Sequence, residues 1–593
     1  MTSQLLKNIK LERTFSFFKN IWFLIPESKK GPLIKLWIMM IFGMLLEMIS
    51  IGMVIPLIML LTREHSFNSY PVLGELIPQF NNSSTAILII IFMAFLVFIY
   101  LLKNSFLVLL AWKQSKFIYG IQTDIAEKLF SIYLKQPYHF HLQRNSGQLI
   151  RNIQGEVSVF INSVLTPYLY LLAEILIVCG LSVMLLFIEQ VGTIAVIIAL
   201  FFSLNLFYRF TKNRTLYWAK ERVHQEGQRI QQLYQGLGGV KETKLYGREQ
   251  DFIDKYRIYT SKSMKCNQRQ QFIQQVPRLF LELLALIGFL ILVGSIVIQQ
   301  KPISNLLPTL SLFALVAFRL MPSAHRIIGS IQQLRFGLPT LKLLRKELSF
   351  IEAKYIKSNN TFKKKFQNNL QIKNLCYSYP NSNSKVLNSI SLTINKGDFI
   401  GFVGESGSGK STLIDIILGI LPPTSGNLLL DDVDISKNLR NWQDKIGYVP
   451  QEIYLSDDTL RRNIAFGVSD CDIDNHAIEK AINLAQLEKF IDDLPEGLDT
   501  IVGERGVRIS GGQRQRIGIA RALYNDPEVL ILDEATSNLD IKTEANLMDA
   551  IFALHGKITI LTVAHRLKTL KKCDKIFTLG NGKIIDERYK LKK

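Results

Sequence analysis

Six long apolar segments in the first 340 residues constrain the fold more than any other feature of the sequence. A helix needs roughly 20 apolar residues to cross a bilayer, and within lipid its backbone polar groups must be satisfied internally. Candidate spans lie at about 33–62, 85–111, 160–188, 191–208, 278–299 and 306–328. The residues after 340 have the mixture of apolar and polar residues that is typical of a soluble globular domain. The sequence therefore predicts a membrane domain over 1–340, a linker over 341–368 and a soluble domain over 369–593.

The basic residues orient these spans. Lys and Arg number six in residues 1–32, six in 112–157 and fourteen in 209–277, whereas the three opposite loops hold only Arg63 and Lys301. Positive residues favour the cytoplasmic side, so we expect both termini and the two long loops there. The formal net charge of +21 lies mostly in loops between apolar segments, which favours a membrane protein with no nucleic-acid partner. The five cysteines form no CxxC pair, which argues against a structural metal site.

The two long loops, 112–157 and 209–277, are too long to be simple connections. If helical, each out-and-back pair would project roughly 30 Å beyond the bilayer. Turn-like stretches mark the far tips, at Gln136–Gln148 and Tyr234–Glu249. We expect each loop to form a lever, meaning a pair of helices that extend the spans into the cytoplasm, with a short element across its tip.

Near the N-terminus, Phe15–Ile25 has two open interpretations, a helix lying on the membrane surface and a packed entry helix.

A phosphate-binding motif opens the soluble domain. The segment Gly404–Ser411 reads GESGSGKS, between an apolar strand pattern and a helix pattern. In such a P-loop, backbone N–H groups cradle phosphates, Lys410 reaches the β- and γ-phosphates, and Ser411 coordinates Mg²⁺. The predicted ATP-binding residues of this segment are Gly404, Glu405, Ser406, Gly407, Ser408, Gly409, Lys410, Ser411 and Thr412.

An apolar strand pattern, VLILDE at Val529–Glu534, ends in two carboxylates about 120 residues after the P-loop. Asp533 is placed to hold Mg²⁺ through water. Glu534 is placed to orient and deprotonate the attacking water, which a hydrolytic nucleotidase requires. Together with the P-loop, this pair predicts nucleoside triphosphate hydrolysis.

Between these motifs stands ISGGQRQR at Ile509–Arg516, and with it the domain resembles the ATPase domain of ABC transporters. Ile509 stands where the family usually has Leu. The resemblance implies that this segment of one domain closes over the γ-phosphate bound by another, through Ser510, Gly511, Gly512 and Gln513.

The resemblance assigns further roles by position. Tyr379 resembles the residue that stacks on adenine, Gln451 the glutamine that senses Mg²⁺ and water, and His565 the switch histidine that contacts the γ-phosphate. The implied Mg²⁺ ligands are Ser411, Gln451 and Asp533, and the implied catalytic residues are Glu534 and His565. Ser537–Asp540 resembles the D-loop, and Thr500–Gly506 resembles a segment that touches the membrane domain in exporters.

Taken as a whole, the chain resembles the exporter half-transporters of this family. That resemblance implies a membrane α-helical bundle of six transmembrane helices fused to an α/β P-loop ATPase domain. It also implies a homodimer with two equivalent ATP sites, in the bacterial inner membrane with the ATPase domain in the cytoplasm. The loop tips resemble the coupling helices of exporters. An ATP-gated channel is the alternative from another class.

The expected cargo depends on basic residues at the inner ends of the last two spans. Arg278 begins span five, and Arg319 and Arg326 share one face of span six, seven residues apart. Two interpretations stay open: the arginines snorkel or pair with acids such as Glu282, or they receive a polyanionic head group. The stretch FRLMPSAHRIIGS at 318–330 and its surroundings resemble the bacterial flippases for lipid-linked oligosaccharides, which implies a polyprenyl-pyrophosphate glycan as cargo. Another amphipathic substrate, such as a lipid A-like lipid, a drug or a peptide, is the alternative.

Glu47 and Glu174, in spans one and three, have no partner nearby in sequence. Two interpretations stay open for each: it pairs with a residue of another helix, or it lines a cavity.

Overall fold

The computed structural model describes residues 19–54, 85–188, 190–298, 306–350, 365–380, 382, 384–503, 509–534, 541–563, 570 and 572–589. Side chains are described for fewer positions, and those of 306–319 are not among them. The chain forms two compact units, Met1–Gln136 with Arg144–Glu352 and Pro137–Gln143 with Ala353–Lys593. Each unit is treated by itself below.

Long helices make up the first unit. They are α1 (Glu27–Gly52), α2 (Thr85–Leu134), α4 (Ser146–Ile188), α5 (Gln190–Gly238), α7 (Glu249–Ile298), α8 (Leu306–Phe336) and α9 (Leu338–Leu348). Two π-helical turns, Asn152–Glu156 and Ile161–Leu165, interrupt α4. The predicted linker begins at 341, inside α9, and much of the rest of it lies outside the described residues.

The predicted membrane segments fall on these helices. Among the described residues, three helices are long and apolar enough to cross a membrane: Glu27–Gly52, Ile89–Leu134 and Ser146–Met184. The other three predicted spans lie on α5, α7 and α8. Residues 55–62 of span one and residue 299 of span five lie outside the described residues. Helix α4 ends at Ile188 and α5 begins at Gln190, close to the predicted boundary between spans three and four.

Small residues let α1 and α4 approach closely. A Cβ added at Gly180 would lie 2.8 Å from the Met48 sulfur and 3.0 Å from Met44. Because lipid tails are as apolar as leucine, close packing of this kind drives association between membrane helices. Helix α2 instead exposes large apolar side chains, including Ile90 at 65% exposure, as a lipid-facing surface requires.

The predicted levers and tip elements are both present. α2 continues to Leu134, and α5 and α7 run well beyond the apolar segments on each side of the second loop. The tips are the short helices α3 (Tyr138–Leu142) and α6 (Val240–Leu245). The first tip, Pro137–Gln143, groups with the second unit rather than with the helices on either side of it.

Two buried polar clusters tie the levers together. Tyr133 donates a hydrogen bond to Glu347 at 2.9 Å, and Arg144 pairs with the same carboxylate at 2.8 Å. Burial raises the pKa of the Tyr133 hydroxyl, so it stays a donor. In the second cluster Arg222 donates to Glu156 at 3.1 Å and to Thr340 at 3.0 Å. Buried charges are costly unless they are paired, so these contacts specify which helices pack together.

The N-terminal segment packs instead of lying wholly exposed. Residues 19–24 are helical, and Asn20, Ile21, Leu24 and Ile25 are buried, while Trp22 and Phe23 are exposed. Arg345 of α9 donates to the Asn20 side chain. Residues 15–18 of the predicted surface helix lie outside the described residues.

Two sheets form the second unit. The strands are β1 (Asn369–Tyr377), β2 (Leu387–Asn395), β3 (Phe399–Gly404), β4 (Ser425–Leu430), β5 (Val433–Asp434), β6 (Ile446–Val449), β7 (Val529–Asp533), β8 (Thr559–Val563), β9 (Lys575–Gly580) and β10 (Lys583–Tyr589). One sheet has the order β2-β1-β4-β5 and is antiparallel. The other has the order β10-β9-β3-β8-β7-β6 and is parallel except at β10.

The helices of this unit are α10 (Lys410–Ile417), α11 (Leu439–Gln443), α12 (Leu460–Ile464), α13 (Asn475–Ala485), α14 (Glu488–Asp492), α15 (Gly511–Leu523) and α16 (Ile541–Phe552). Strand β3 leads into the P-loop, and β7 carries Asp533 at its carboxyl end. Every residue of β7 and β8 is buried, so these two strands hold Asp533 from the interior of the domain. Ligands of open parallel sheets bind outside the carboxyl ends of the strands.

Candidate functional site

The P-loop connects β3 to α10 and is held by its own lysine. Lys410 is buried and donates to the carbonyls of Gly404 at 2.8 Å and Glu405 at 2.9 Å. Gly409 has a φ of 101°, in the region that favours glycine, and a Cβ there would meet Leu387 at 2.7 Å. The buried Ser408 hydroxyl has no hydrogen-bond partner among the described atoms. The loop thus presents an ammonium group and backbone amides to an anion.

The two carboxylates after β7 differ in environment. Asp533 is buried, and burial together with the neighbouring Glu534 raises its pKa, which Lys410 opposes. Glu534 has a φ of 49°, a left-handed conformation uncommon for residues other than glycine. Its carboxylate accepts a hydrogen bond from Gln451 Nε2 at 2.9 Å. The structure therefore brings the predicted base and the predicted sensing glutamine together.

An additional carboxylate beside this pair, Asp415 of α10, was missed in the sequence. Burial, followed by the charge of Asp533, raises its pKa from 3.8 to about 6. The signal that could have found it is its position, five residues after Lys410 in the helix that follows the P-loop. Asp415 and Asp533 thus place two interacting carboxylates close to the P-loop.

Magnesium fits this donor set. Among the described residues, no group of three or more His, Cys, Asp and Glu side chains could hold a metal. Mg²⁺ usually takes one or two protein oxygens plus phosphates and water, so a buried Asp533 and the Ser411 hydroxyl suit it.

Tyr379, the predicted adenine-stacking residue, lies beside the start of α10. Its hydroxyl lies 3.2 Å from the Thr412 hydroxyl, and its ring makes an edge contact with Tyr377, with 5.1 Å between centroids. The Tyr379 side chain is only partly buried.

The signature segment begins α15. Ser510 is the N-cap, with its hydroxyl accepting from the Gln513 amide at 3.2 Å while the Gln513 side chain accepts from the Ser510 amide at 2.8 Å. This capping box orients the first turn. Amides of a first helical turn lack intrahelical acceptors, so those of Gly511 and Gly512 suit an anion.

Several predicted residues lie outside the described part of the chain. They are His565, the D-loop segment 537–540 and residues 504–506.

Two of the three predicted cargo arginines are paired with acids. Arg278 lies 2.9 Å from Glu282, one turn along α7, as the local-pair interpretation expected. Arg326 of α8 lies 2.5 Å from Glu174 of α4. Arg319 is in α8, but its side chain is not among the described ones. Glu174 thus has a helix-to-helix partner.

Glu47 also has a partner on another helix. Lys103 of α2 lies 3.6 Å from it, and both side chains are buried. The Lys103 ammonium also lies 4.2 Å from the centre of the Tyr100 ring. This ion pair joins α1 to α2 inside the apolar segment.

Comparisons with known proteins agree with this architecture. Residues 36–320 match the family model of the ABC transporter transmembrane region, and residues 387–537 match the family model of the ABC transporter. The chain is 30% identical over 500 residues to the heterocyst differentiation ATP-binding protein HepA of Nostoc sp., covering 82% of this chain and 81% of that protein. It is also 30% identical over 485 residues to the ATP-dependent lipid A-core flippase of Photobacterium profundum, covering 80% of each.

The fold agrees as well. The solved structure of a bacterial Atm1-family ABC exporter with ATP bound superposes with a TM-score of 0.78 at 20% identity, covering 95% of this chain and 96% of that one. The chain therefore belongs to the ABC transporters and is an exporter half-transporter, a helical membrane domain fused to an ATPase domain whose ATP hydrolysis drives transport.

Proposed function

We propose that this exporter flips a polyprenyl-pyrophosphate-linked oligosaccharide from the inner to the outer leaflet of the bacterial inner membrane, as a homodimer that uses ATP and Mg²⁺. The observation that carries the cargo proposal is the pair of arginines at the cytoplasmic ends of spans five and six, Arg278 in α7 and Arg326 in α8. Both are held by carboxylates, and both stay accessible: the Arg278 side chain is 71% exposed and that of Arg326 45% exposed.

The depth of these residues supports a lipid head group. Arg326 lies 20 residues into α8, which is roughly 30 Å along the helix and close to the thickness of the hydrocarbon core. Arg278 lies at the cytoplasmic start of span five. A pyrophosphate presented from the inner leaflet meets this level first.

The pairing suggests how the head group is received. Arginine binds phosphate in bidentate geometry, so a pyrophosphate can replace Glu282 at Arg278 and Glu174 at Arg326. When no head group is bound, the carboxylates neutralise the guanidinium groups. This pairing lowers the free energy cost of holding a charged side chain at this depth in the membrane. Arg319, one heptad above Arg326, is proposed as a deeper contact.

The dimer is supported by exposed apolar side chains at the second tip. Leu237, Leu245 and Tyr246 at or beside α6 are 72%, 75% and 71% exposed. The second unit also exposes large apolar side chains, with exposed fractions of 62% for Tyr454, 53% for Phe466 and 50% for Ile501. Exposed apolar clusters mark protein contacts, and we propose that α6 docks on an ATPase domain in the dimer.

For ATP hydrolysis, we propose that Lys410 and the P-loop amides bind the β- and γ-phosphates, and Tyr379 stacks on the base. Ser411, Gln451 and Asp533 would hold Mg²⁺, which would neutralise phosphate charge when bound. Glu534 accepts the proton of the attacking water, and Gln451 positions Glu534 through its hydrogen bond. Ser510, Gly511, Gly512, Gln513 and His565 contact the γ-phosphate.

A second candidate cargo is favoured by the relative named a lipid A-core flippase, which this chain matches over 80% of its length. A lipid A-type glycolipid shares phosphate groups and a glycan with the first candidate. The two differ in their tails, a single polyprenyl chain against several acyl chains.

Stimulation of ATPase activity tests the cargo. The purified protein in nanodiscs is titrated with a polyprenyl-pyrophosphate glycan, with lipid A and with uncharged glycolipid. We expect saturable stimulation by the first, weaker stimulation by the second and none by the third. Stimulation by lipid A alone would transfer the proposal to the second cargo, and equal stimulation by uncharged glycolipid would refute the role of the arginines.

A further inference from the structure

A basic cleft lies between the two levers of the first unit, outside the sites described so far. It has an open volume of about 400 Å³ and lies between the start of α4 and the cytoplasmic half of α5. The lining side chains that matter here are Asn145, Gln148, Arg151, Lys220, His224 and Gln228.

Arg151 is the unusual member of this set. The residue is only 9% exposed, its Nε is buried without a hydrogen-bond partner, and its Nη2 donates to the neutral Asn152 side chain at 3.1 Å. Among the described residues, no carboxylate lies within ion-pair distance of it.

The neighbouring arginines of the levers are all paired. Arg144 pairs with Glu347, Arg222 with Glu156 and Arg229 with Glu226. Buried charges in proteins are paired as a rule. Of these four described arginines, Arg151 is the one that lacks a carboxylate partner.

The backbone is shaped to place this guanidinium at the floor of the cleft. A Cβ added at Gly227 would lie 2.4 Å from Arg151 Nη1, so only glycine leaves room for the guanidinium against α5. A Cβ at Gly147 would lie 2.9 Å from the Tyr234 ring. These two glycines set the distance between the helices and hence the width of the cleft.

The rest of the lining suits an anion. None of the described residues that line the cleft is acidic, and Lys220 and His224 line it from successive turns of α5. The side-chain amides of Asn145, Gln148 and Gln228 add neutral donors.

The position along the helices separates this cleft from lipid head groups. Lys220 follows the end of span four by 12 residues, and Arg151 precedes the start of span three by nine. At 1.5 Å per residue these are about 18 Å and 14 Å, whereas the head-group layer is only about 5–8 Å thick on each side. A ligand here comes from the cytosol.

We propose that this cleft binds a soluble anion bearing phosphate groups, with Arg151 and Lys220 as its charged contacts. A bound anion links α4 to α5 and stabilises the lever packing seen here. The site depends on neither the cargo nor the ATP site, and it would place the membrane domain under the influence of a cytosolic metabolite.

Pyrophosphate titration by calorimetry tests this proposal. The full-length protein is used in phosphatidylcholine nanodiscs, with a non-hydrolysable ATP analogue and buffered free Mg²⁺ keeping the nucleotide sites filled. We expect saturable binding by the wild type, and binding weakened about tenfold or more by Arg151→Gln and by Lys220→Gln, since each removes a charge-assisted contact. Lys220 is exposed, so its variant keeps the test independent of folding at Arg151.

Two further variants sharpen the result. Gly227→Ala changes no charge but displaces the Arg151 guanidinium, so it should weaken binding as well. Lys212→Gln removes an exposed charge two turns away on α5 and should leave binding unchanged. Absence of saturable binding, or equal binding by all variants, would overturn the proposal. Loss of pyrophosphate binding in phosphatidylglycerol nanodiscs would show that lipid head groups fill the cleft, which also overturns it.

Discussion

Arg326 of α8 forms an ion pair with Glu174 of α4, with 2.5 Å between Nε and Oε1. The Glu174 side chain is 11% exposed and that of Arg326 is 45% exposed. The pair therefore has one member fixed inside the helix bundle and one that an anion can reach. That asymmetry underlies the proposed exchange of the carboxylate for a phosphate.

Removing Arg326 should destabilise the membrane domain, because Glu174 would be left buried and unpaired. We expect Arg326→Gln to cost about 1–3 kcal/mol, and Arg326→Gln combined with Glu174→Gln to recover most of it. Thermal denaturation in detergent measures both. Additive losses in the double variant would show that the pair does not interact.

The hydrogen bond from Gln451 to Glu534 should matter for turnover rather than for nucleotide binding. Gln451→Ala frees the carboxylate that positions the water, and we expect a fall in ATPase kcat of about 10- to 100-fold. The Kd for ATP measured without Mg²⁺ should stay within a few-fold of wild type, because Lys410 and the P-loop amides still bind the phosphates. Gln367→Ala, at an exposed position of the same domain, serves as the control. An unchanged kcat would show that Gln451 does not position Glu534.

The sequence predicted the local features of this protein well and the partners of its side chains poorly. The P-loop at Gly404–Ser411 and the Arg278–Glu282 pair are local, since their geometry follows from a strand-to-helix turn and from a four-residue helical repeat. The helical tips were predictable because polar residues and turn signals interrupt long helices. These features need no knowledge of tertiary packing.

Partners across helices depend on rotation and register, which the sequence pattern leaves open. Glu174 and Glu47 could not be assigned to Arg326 and Lys103, because each pair joins helices that meet only in the folded bundle. The π-helical turns in α4 also escaped prediction, since each shifts the helical face by an inserted residue without a turn signal. Asp415 escaped for a similar reason, because its raised pKa comes from burial beside Asp533.

The pKa of Asp415 predicts a pH-dependent stability. Because the folded protein holds this proton up to a pH of about 6 rather than 3.8, stability contributed by the protonated form falls as pH rises from about 4 to 6 and is absent above that. At pH 8 the ionised, half-buried carboxylate costs about 1–2 kcal/mol, allowing for its partial exposure.

Asp415→Asn removes that cost. We expect it to raise the Tm of the second unit at pH 8 and to raise it by only about half as much at pH 5, because pH 5 lies midway between the unfolded and folded pKa values of Asp415. Differential scanning calorimetry of the full chain measures both. Asp432→Asn, at an exposed turn, should change the Tm at neither pH. An equal gain at both pH values would contradict the assigned pKa.

The exposed tip α6 should couple the ATPase domain to the spans. Leu245 is 75% exposed, so Leu245→Glu should not unfold the protein, but a charge there opposes docking on an apolar surface. We expect basal ATPase activity to persist while its stimulation by glycolipid falls about tenfold. Ile258→Glu, at an exposed apolar position of α7, is the matched control. Normal stimulation in Leu245→Glu would remove α6 from the coupling route.

The most direct measurement is ATP-dependent flipping of a fluorescent polyprenyl-pyrophosphate glycan in proteoliposomes, compared between Arg278→Gln and Arg257→Gln. Both arginines lie on α7, both are 71% exposed and both pair with an acid within one helical turn, so they differ mainly in depth. We predict flipping by the wild type and by Arg257→Gln, a loss of about tenfold or more in Arg278→Gln and Arg326→Gln, and none in Glu534→Gln. Flipping at the wild-type rate by the Arg278 and Arg326 variants would contradict the proposed head-group site, and flipping by Glu534→Gln would contradict its dependence on ATP hydrolysis.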